Sequence, residues 1–361
     1  MKAIQPLLLA ALATAAGGAI HTSSVSTPAM HFTTHSSTPL PDEGAFPSLT
    51  GATLWLNSQP LTPAALRGKV VLIDFSTYTC INWLRTLSHV RAWAEKYKDH
   101  GLVVINVQTP EFEFEKNIDN VRLASKQMGL VYPTAIDNDY AIWNAFDNHY
   151  WPALYIVDAK GRIRHHQFGE GDYEKSETII KQLLTEAGQS GIGPELAPVH
   201  ESGAEVGADW STLKSGETYV GSARAEKFSS PGGLASSKSH VYAAPAKLDL
   251  NHWALAGDWT VGKQGTVSNK ANGRIVFRFH ARDVHLVMGP AEKGASVRFR
   301  VRIDGAPPGA AHGSDVDAQG NGTATEQRLY QLIRQPSPIA DRLFEIEFLD
   351  PGAEAFVFTF G

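Results

Sequence analysis

The sequence predicts an α/β domain with a central sheet covered by helices on both faces, followed by an all-β sandwich. Between Gly51 and Gly188, short β-branched apolar runs alternate with stretches of helical period. After Glu217 the pattern changes to alternating apolar and polar residues, separated by turns rich in Gly, Pro, Asp and Asn. The 361 residues, 43% of them hydrophobic, suffice for two domains with real cores.

Each element of the first domain is predicted from its apolar period and its turn residues. The predicted elements are a strand at 70–75, a helix with an apolar stripe over 84–97, a strand at 102–107, helices at 115–128 and 140–146, a hairpin of 153–157 and 162–164, and a helix at 173–187. Gly101 and Gly129 mark two helix ends. The domain is predicted to span 46–188.

The second domain is predicted to span 216–361, after a linker at 189–215 that is rich in Gly, Pro, Ser and Glu and has no period. Its clearest strands follow a period of two, which is typical of an antiparallel sheet with one buried face. They are 274–280, 297–303, 344–348 and 356–360.

The N-terminus predicts export. Lys2 precedes an apolar run over 7–16, and Ala13-Thr14-Ala15 fits the small-x-small pattern of signal cleavage. We expect a signal peptide at 1–20, a flexible leader at 21–45 and a periplasmic or secreted location, with membrane contact only if the signal stays uncleaved. The net charge is −5 and no basic block is present, which argues against a nucleic-acid partner.

The chain has one cysteine, Cys80, where the first long strand gives way to a helix. One cysteine allows no internal disulfide. The N-H groups and dipole at a helix N-terminus stabilise a thiolate, so we expect Cys80 to have a lowered pKa and to act as a nucleophile. A buried, inert core cysteine is the alternative.

Several segments resemble DipZ proteins, which are thioredoxin-like relatives of the TlpA and ResA group linked to thiol–disulfide exchange. The segments are KVVLIDF (69–75), CIN (80–82), RAWAEKY (91–97), YWPA (150–153), WALAGDW (253–259) and ADR (340–342). The resemblance implies a thioredoxin-like first domain and a second domain similar to carbohydrate-binding modules. It covers only the soluble portion of DipZ, without the membrane-spanning part.

The chain departs from that family at its second active-site cysteine. The family pattern is Cys-x-x-Cys, whereas this chain reads Cys80-Ile81-Asn82-Trp83. A dithiol enzyme releases its product when the second thiol attacks the mixed disulfide. Here release needs an outside thiol such as glutathione, or a second thiol on the substrate, which favours isomerisation or reversible glutathionylation over net reduction. We expect Trp83 to shield Cys80 or to bind an apolar substrate segment.

The Trp151-Pro152 bond occupies the place where thioredoxin-like proteins carry a cis-proline facing the active cysteine. The resemblance therefore implies a cis bond whose flanking backbone pairs with an extended substrate. Cys80 is thus the predicted catalytic residue, and Trp83, Trp151 and Pro152 are the predicted substrate-binding residues. The alternative function is a redox-inactive binding protein that uses this groove for a peptide and the sandwich for a glycan or a protein partner.

Other candidates are weaker. Residues 315–326 have the ligand spacing of a calcium loop, but position five is Gln319 and the flanks read as strands, which favours a plain turn. Peroxidase chemistry is not favoured, because Ile73 stands where the peroxiredoxin pattern has proline. No metal or cofactor is predicted. One of Glu111, Glu113 and Glu115 is a candidate proton acceptor for Cys80, with a solvated face as the default for all three. The other candidates are His149, His165 and His166 as solvated or capping side chains, and Trp210, Trp253 and Trp259 as sugar-stacking or core residues.

Overall fold

A mixed sheet forms the centre of the first domain. The computed structural model describes residues 39–361. Within them, the sheet has the strand order β1-β7-β6-β3-β4-β5-β2, in which β3, β4 and β5 are parallel and the other pairs are antiparallel. The strands are β1 (Gly44–Ala45), β2 (Leu54–Leu56), β3 (Val70–Ser76), β4 (Leu102–Gln108), β5 (Thr134–Ile136), β6 (Ala153–Val157) and β7 (Arg162–Phe168).

Four α-helices connect these strands, and their ends follow the local sequence. They are α1 (Ile81–Tyr97), α2 (Ile118–Gln127), α3 (Ala141–Ala145) and α4 (Tyr173–Glu186). A short 3-10 turn extends α1 to Gly101, whose positive φ of 86° suits glycine. The helix predicted at 115–128 begins only at Ile118, because the side chain of Asn117 accepts the N-H of Asp119 and caps α2.

Both faces of the central sheet are covered, as the sequence predicts. One face packs Leu72, Val104 and Ile156 against α1 and α4. The other face packs Ile73 and Phe75 against the chain before β3 and against α3. Alternate residues of β3 point to opposite faces of the sheet, and both faces are covered. The continuous apolar run of β3 is therefore buried along its full length.

The second domain is a curled, antiparallel β-sandwich. Its path runs β15-β14-β17-β12-β10-β11-β18-β13-β16, with β8 added beside β18 and β9 beside β10. The strands are β8 (Thr218–Tyr219), β9 (Ser239–Tyr242), β10 (Trp253–Val261), β11 (Thr266–Ser268), β12 (Gly273–Phe279), β13 (Asp283–Pro290), β14 (Val297–Ile303), β15 (Asn321–Ala324), β16 (Arg328–Arg334), β17 (Arg342–Phe348) and β18 (Ala353–Phe360). The four predicted strands lie in β12, β14, β17 and β18.

Strand β10 belongs to both layers of the sandwich. Its first half pairs with β12, and its second half pairs with β9 and β11. The change occurs at Gly257, which has a φ of 99°, and a Cβ there would lie 3.2 Å from the Cα of Gly273. Glycine therefore permits the bend that folds one sheet into two layers.

The two domains share a hydrophobic interface. Val287 and Phe356 of the sandwich belong to the same buried cluster as α1 and α4 of the first domain. The ring of Phe356 lies 5.2 Å from that of Phe112 and 4.7 Å from that of Phe114. Arg85 of α1, which is 2% exposed, donates to Glu170 and to the carbonyl of Phe360, both at 3.0 Å. Residues 39–361 accordingly form one compact unit.

The segment at 189–215, predicted as a linker, lies against the first domain. The N-H of Ala197 donates to Glu177 at 2.6 Å, and Glu205 pairs with Arg91 at 2.5 Å. The last two residues of the predicted leader form β1, which pairs with β7. The predicted signal peptide lies outside the described residues. Within the described part of the chain, no helix is long and apolar enough to cross a membrane.

The shared interface predicts that the domains unfold together. Phe356→Ala removes a ring that packs on both domains, and we expect the free energy of unfolding to fall by about 3 kcal/mol. Chemical denaturation should show one transition before and after the change. Val241→Ala, at a side chain that is 71% exposed, is the control and should change little. Two separate wild-type transitions, only one of them shifted by Phe356→Ala, would contradict the shared core.

Candidate functional site

Cys80 lies at the junction between β3 and α1, as predicted. It is the N-cap of α1 with extended backbone angles, and its carbonyl accepts the N-H of Leu84 at 2.9 Å. Its own N-H donates to Thr77 at 3.0 Å, which closes the turn after β3. Cys80 is half-buried as a residue, and its thiol is largely withdrawn from water. The start of α1 therefore holds this side chain just beneath the surface of the domain.

Trp151 and Pro152 lie beside Cys80, and the peptide bond between them is cis, as the resemblance implies. The Sγ of Cys80 donates to the carbonyl oxygen of Trp151 over 3.9 Å, a distance suited to a weak thiol donor. Pro152 is buried, whereas Trp151 is partly exposed and its ring lies 4.3 Å from that of Trp143. Three of the four predicted site residues thus come together where β3 ends and β6 begins.

Trp83 points away from this surface, which corrects its predicted role. Its side chain is 0% exposed, so it offers a substrate no surface, and its indole Nε1 donates to both carboxylate oxygens of Asp74, at 3.2 and 3.0 Å. The helical spacing of Trp83, Leu87 and Val90 explains the burial, since these residues share the face of α1 that packs on the sheet.

Asp74 is a residue that the sequence reading missed. It lies in β3, is 0% exposed, and burial raises its pKa from 3.8 to about 7, while the hydrogen bond from Trp83 acts in the opposite direction. The signal was present, because Asp74 is the one acid inside the apolar run 70–75. The position where related proteins have a resolving thiol is therefore filled by an indole bound to a buried carboxyl group.

The pKa of the Cys80 thiol is raised, not lowered as expected. Burial is the main cause, and the charges of Glu111 and Glu217 act in the same direction. The backbone N-H groups of Trp83 and Asn82 oppose this shift without overcoming it. A helix N-terminus alone would lower this pKa, whereas the carboxylate of Glu217, which comes from the second domain, helps to raise it.

Glu111, Glu113 and Glu115 have three different roles. Glu115 is 0% exposed and accepts the hydroxyl of Thr79 at 2.6 Å and the N-H groups of Glu111 and Phe112 at 2.7 and 2.9 Å. Glu111 accepts the hydroxyl of Tyr219 at 2.7 Å and pairs with Arg224 at 2.8 Å. Glu113 is exposed and pairs with Lys116. Glu115 therefore holds the loop before Cys80, and Glu111 joins that loop to the second domain.

The loop at 315–326 is an internally bonded turn between strands. Asp315 pairs with Arg328 at 2.6 Å and accepts the N-H of Gln331 at 2.8 Å. Asp317 accepts the N-H groups of Gln319 and Asn321 at 3.0 and 2.8 Å. Both carboxylates that would start a calcium loop are thus bound to donors of the protein.

The predicted histidines and tryptophans have ordinary structural roles. His166 contacts Glu43 at 2.7 Å and His149 contacts Asp147 at 3.4 Å, whereas His165 is buried. Trp253 and Trp259 are fully buried in the sandwich core, so they cannot stack on a sugar ring. Trp210 is 65% exposed.

Asp74 predicts how stability changes with pH. In the folded protein its pKa is about 7, whereas in the unfolded chain it is near 3.8, so folding retains a proton between these values. Asp74 makes its full contribution to the free energy of unfolding below pH 4. That contribution falls by about 2–4 kcal/mol as the pH rises toward 7. Asp74→Asn keeps an acceptor for Trp83 and should remove this loss.

Denaturation between pH 5 and pH 8 measures the effect. The Asp74→Asn variant should gain stability relative to the wild type as the pH rises. Asp139→Asn, at an exposed side chain, serves as the control and should follow the wild type. Parallel curves for Asp74→Asn and the wild type across this range would show that the carboxyl group is already ionised at pH 5.

Two family models match the two domains. The model described as the AhpC/TSA family matches residues 45–166, and the one described as a thioredoxin-like C-terminal domain matches residues 215–361. A solved structure of a thioredoxin-like protein in the oxidised form is 30% identical, with a TM-score of 0.37, over 40% of this chain and 96% of its own.

Curated relatives match part of the chain. The DipZ proteins of Mycobacterium bovis and Mycobacterium tuberculosis are 40% identical over 257 residues, which is 68% of this chain and 35% of theirs. The chain therefore matches about a third of their length. The thiol–disulfide oxidoreductase YkuV of Bacillus subtilis is 29% identical over 39% of this chain and 94% of its own. The chain is a homologue of DipZ, with a thioredoxin-like domain related to thiol–disulfide oxidoreductases and a β-sandwich behind it.

Proposed function

We propose that this chain is an exported thiol–disulfide exchange protein that acts through the single thiol of Cys80. The observation that carries the proposal is the placement of the Cys80 Sγ 3.9 Å from the carbonyl of Trp151, beside Pro152. An extended substrate could lie along this backbone with its disulfide at the thiol. The similarity to YkuV, a named thiol–disulfide oxidoreductase, supports the chemistry.

The reaction uses one thiol because Trp83 fills the place of a second. The Cys80 thiolate attacks one sulfur of a substrate disulfide, forms a mixed disulfide and expels the other substrate sulfur as a thiolate, which takes up the proton. Release then requires a second thiol on the substrate or an outside thiol such as glutathione. Protein thiols and disulfides are the proposed substrates, and isomerisation is the proposed net reaction.

The raised pKa of Cys80 affects both steps. At neutral pH only a small fraction of the thiol is ionised, so attack is slow, although each thiolate is a strong nucleophile. A thiol of high pKa is also a poor leaving group. The mixed disulfide should therefore be long-lived, because a thiol that attacks its substrate sulfur must expel the Cys80 thiolate.

The same raised pKa favours one alternative, a redox-inactive protein that binds a peptide beside Trp151 and a glycan or a protein partner on the sandwich. The two candidates differ in what Cys80→Ser does. A binding protein retains its ligand in that variant, whereas an exchange protein loses its activity.

Refolding of a scrambled disulfide protein in a glutathione buffer tests the proposal. The wild type should accelerate recovery of the native pairing, and Cys80→Ser should reduce the rate to that of the buffer alone. Trp151→Ala removes the side chain next to the thiol and should slow the reaction several-fold, because it removes substrate contacts. Trp210→Ala, at another exposed tryptophan, is the matched control. Equal acceleration by the wild type and Cys80→Ser would refute the proposal.

A further inference from the structure

Two aromatic side chains are exposed beside the backbone that contacts Cys80. Tyr150 directly precedes Trp151, and Phe168 ends β7. Their rings stack with centres 4.8 Å apart and planes 30° apart, yet Tyr150 is 51% exposed and Phe168 is 39% exposed. Phe168 therefore covers one face of the Tyr150 ring and leaves the other open to solvent. Exposed apolar side chains that cluster in this way mark interaction sites, whereas scattered ones do not.

The Tyr150–Phe168 pair is held in place by the folded domain. The carbonyl of Tyr150 accepts the side-chain amide of Asn148 at 3.1 Å, and Asn148 is buried. Phe168 lies opposite Ala153 in the pairing of β6 with β7, and its ring contacts Tyr155 edge-on at 6.0 Å. The two rings are therefore positioned before a substrate arrives, which reduces the entropy lost when a side chain binds to them.

The pair lies within reach of the thiol along a continuous stretch of backbone. The Sγ of Cys80 is 3.9 Å from the carbonyl oxygen of Trp151, and Tyr150 is the next residue toward the N-terminus. Standard bond lengths then place the Tyr150 ring within about 14 Å of the sulfur, which an extended peptide covers in about four residues. The ring of Trp151 packs on Trp143 instead, at 4.3 Å.

The groups around the pair favour an apolar side chain over a charged one. Glu43 contacts His166 at 2.7 Å, and Asp147 contacts His149 at 3.4 Å, so both carboxylates already have partners. The imidazole of His166 also lies 4.6 Å from the ring of Phe168 and extends the aromatic surface. Flat apolar side chains gain most from such a surface, because aromatic rings stack on one another in addition to burying area.

We propose that the Tyr150–Phe168 pair binds an aromatic side chain of the substrate, located within four residues of the cysteine that reacts with Cys80. The inference rests on the proposed function and defines its substrate class as extended peptide segments with an aromatic residue on one side of their cysteine. The substrate side chain stacks on the open face of Tyr150 while the substrate backbone lies along Trp151. The pair takes no part in the exchange itself and acts by holding the substrate at the thiol.

The test uses the full chain and synthetic peptides whose single cysteine forms a mixed disulfide with 5-thio-2-nitrobenzoate. The Cys80 thiolate attacks the peptide sulfur, and the coloured 5-thio-2-nitrobenzoate leaves as a thiolate. A set of Gly/Ser peptides places one Trp at each of the four positions on either side of the cysteine. We expect the second-order rate constant to exceed that of the Trp-free peptide by about tenfold, on one side of the cysteine only.

The variants compare the rate ratio of the best Trp peptide to the Trp-free peptide, so that changes in thiol reactivity cancel. Tyr150→Ala should lower this ratio toward one, whereas Tyr150→Phe keeps the ring and should retain the ratio. Trp210→Ala, at another exposed aromatic residue, is the matched control and should also retain it. If Tyr150→Ala fails to fold, the scan of Trp positions in the wild type still decides.

Three results would overturn the inference: a wild-type ratio near one at every Trp position, equal gains on both sides of the cysteine, or a ratio that Tyr150→Ala leaves unchanged. Each of them leaves the proposed function intact as long as Cys80→Ser abolishes the release of colour. The specificity of the site and its chemistry are thus tested by separate readouts.

Failure of the proposed function gives a different result. If the wild type releases colour from the peptides no faster than Cys80→Ser does, the exchange chemistry fails. The same peptides, with serine in place of cysteine, are then titrated into the wild type by calorimetry. Binding of a Trp peptide that Tyr150→Ala weakens and Tyr150→Phe retains would support the pair as a docking site. Absence of binding, or equal binding of Trp and Trp-free peptides, would overturn it.

Discussion

The buried carboxylate of Glu115 is the group on which the geometry of the site depends. It binds the hydroxyl of Thr79 on one side and two backbone N-H groups, of Glu111 and Phe112, on the other. A carboxylate withdrawn from water is tolerated only when its oxygens are satisfied in this way. Glu115 thereby couples the turn that presents Cys80 to the loop that contacts the second domain, so neither can move without breaking buried hydrogen bonds.

The second domain is consequently part of the thiol environment. Phe356 covers Phe112 and Phe114, and Tyr219 and Arg224 bind Glu111. These contacts bring negative charge toward Cys80 and reduce its hydration, and both effects oppose the stabilisation that a helix N-terminus gives to a thiolate. The outcome is a thiol that ionises reluctantly and, once oxidised, is displaced with difficulty. Such a site suits slow exchange that depends on another thiol.

Local pattern was sufficient to predict most of the fold. Continuous β-branched apolar runs locate β3 and β4, and the helical period locates α1 and α4, each to within a few residues. The start of α2 was misplaced, since Asn117 caps the helix after a 3-10 turn. The short strands β2 and β5 were missed, because three-residue strands carry too little pattern.

The site was only partly predictable. The position of Cys80 and the neighbouring Trp151 and Pro152 followed from the sequence and the family resemblance. The burial of Trp83 could have been read from its spacing to Leu87, which places it on the core face of α1. The role of Glu217 could not, because it depends on how residues more than a hundred positions apart meet across a domain interface, and no local period records such a contact.

The most direct test of the central claim is the rate of Cys80 alkylation against pH in folded wild type, in Glu217→Gln and in unfolded protein. The account predicts a reactive folded thiol whose rate rises at a higher pH than that of the unfolded chain, near the free value of about 8.5. Glu217→Gln should move the folded curve toward lower pH. A folded thiol that reacts at lower pH than the unfolded chain, or only after unfolding, would contradict it.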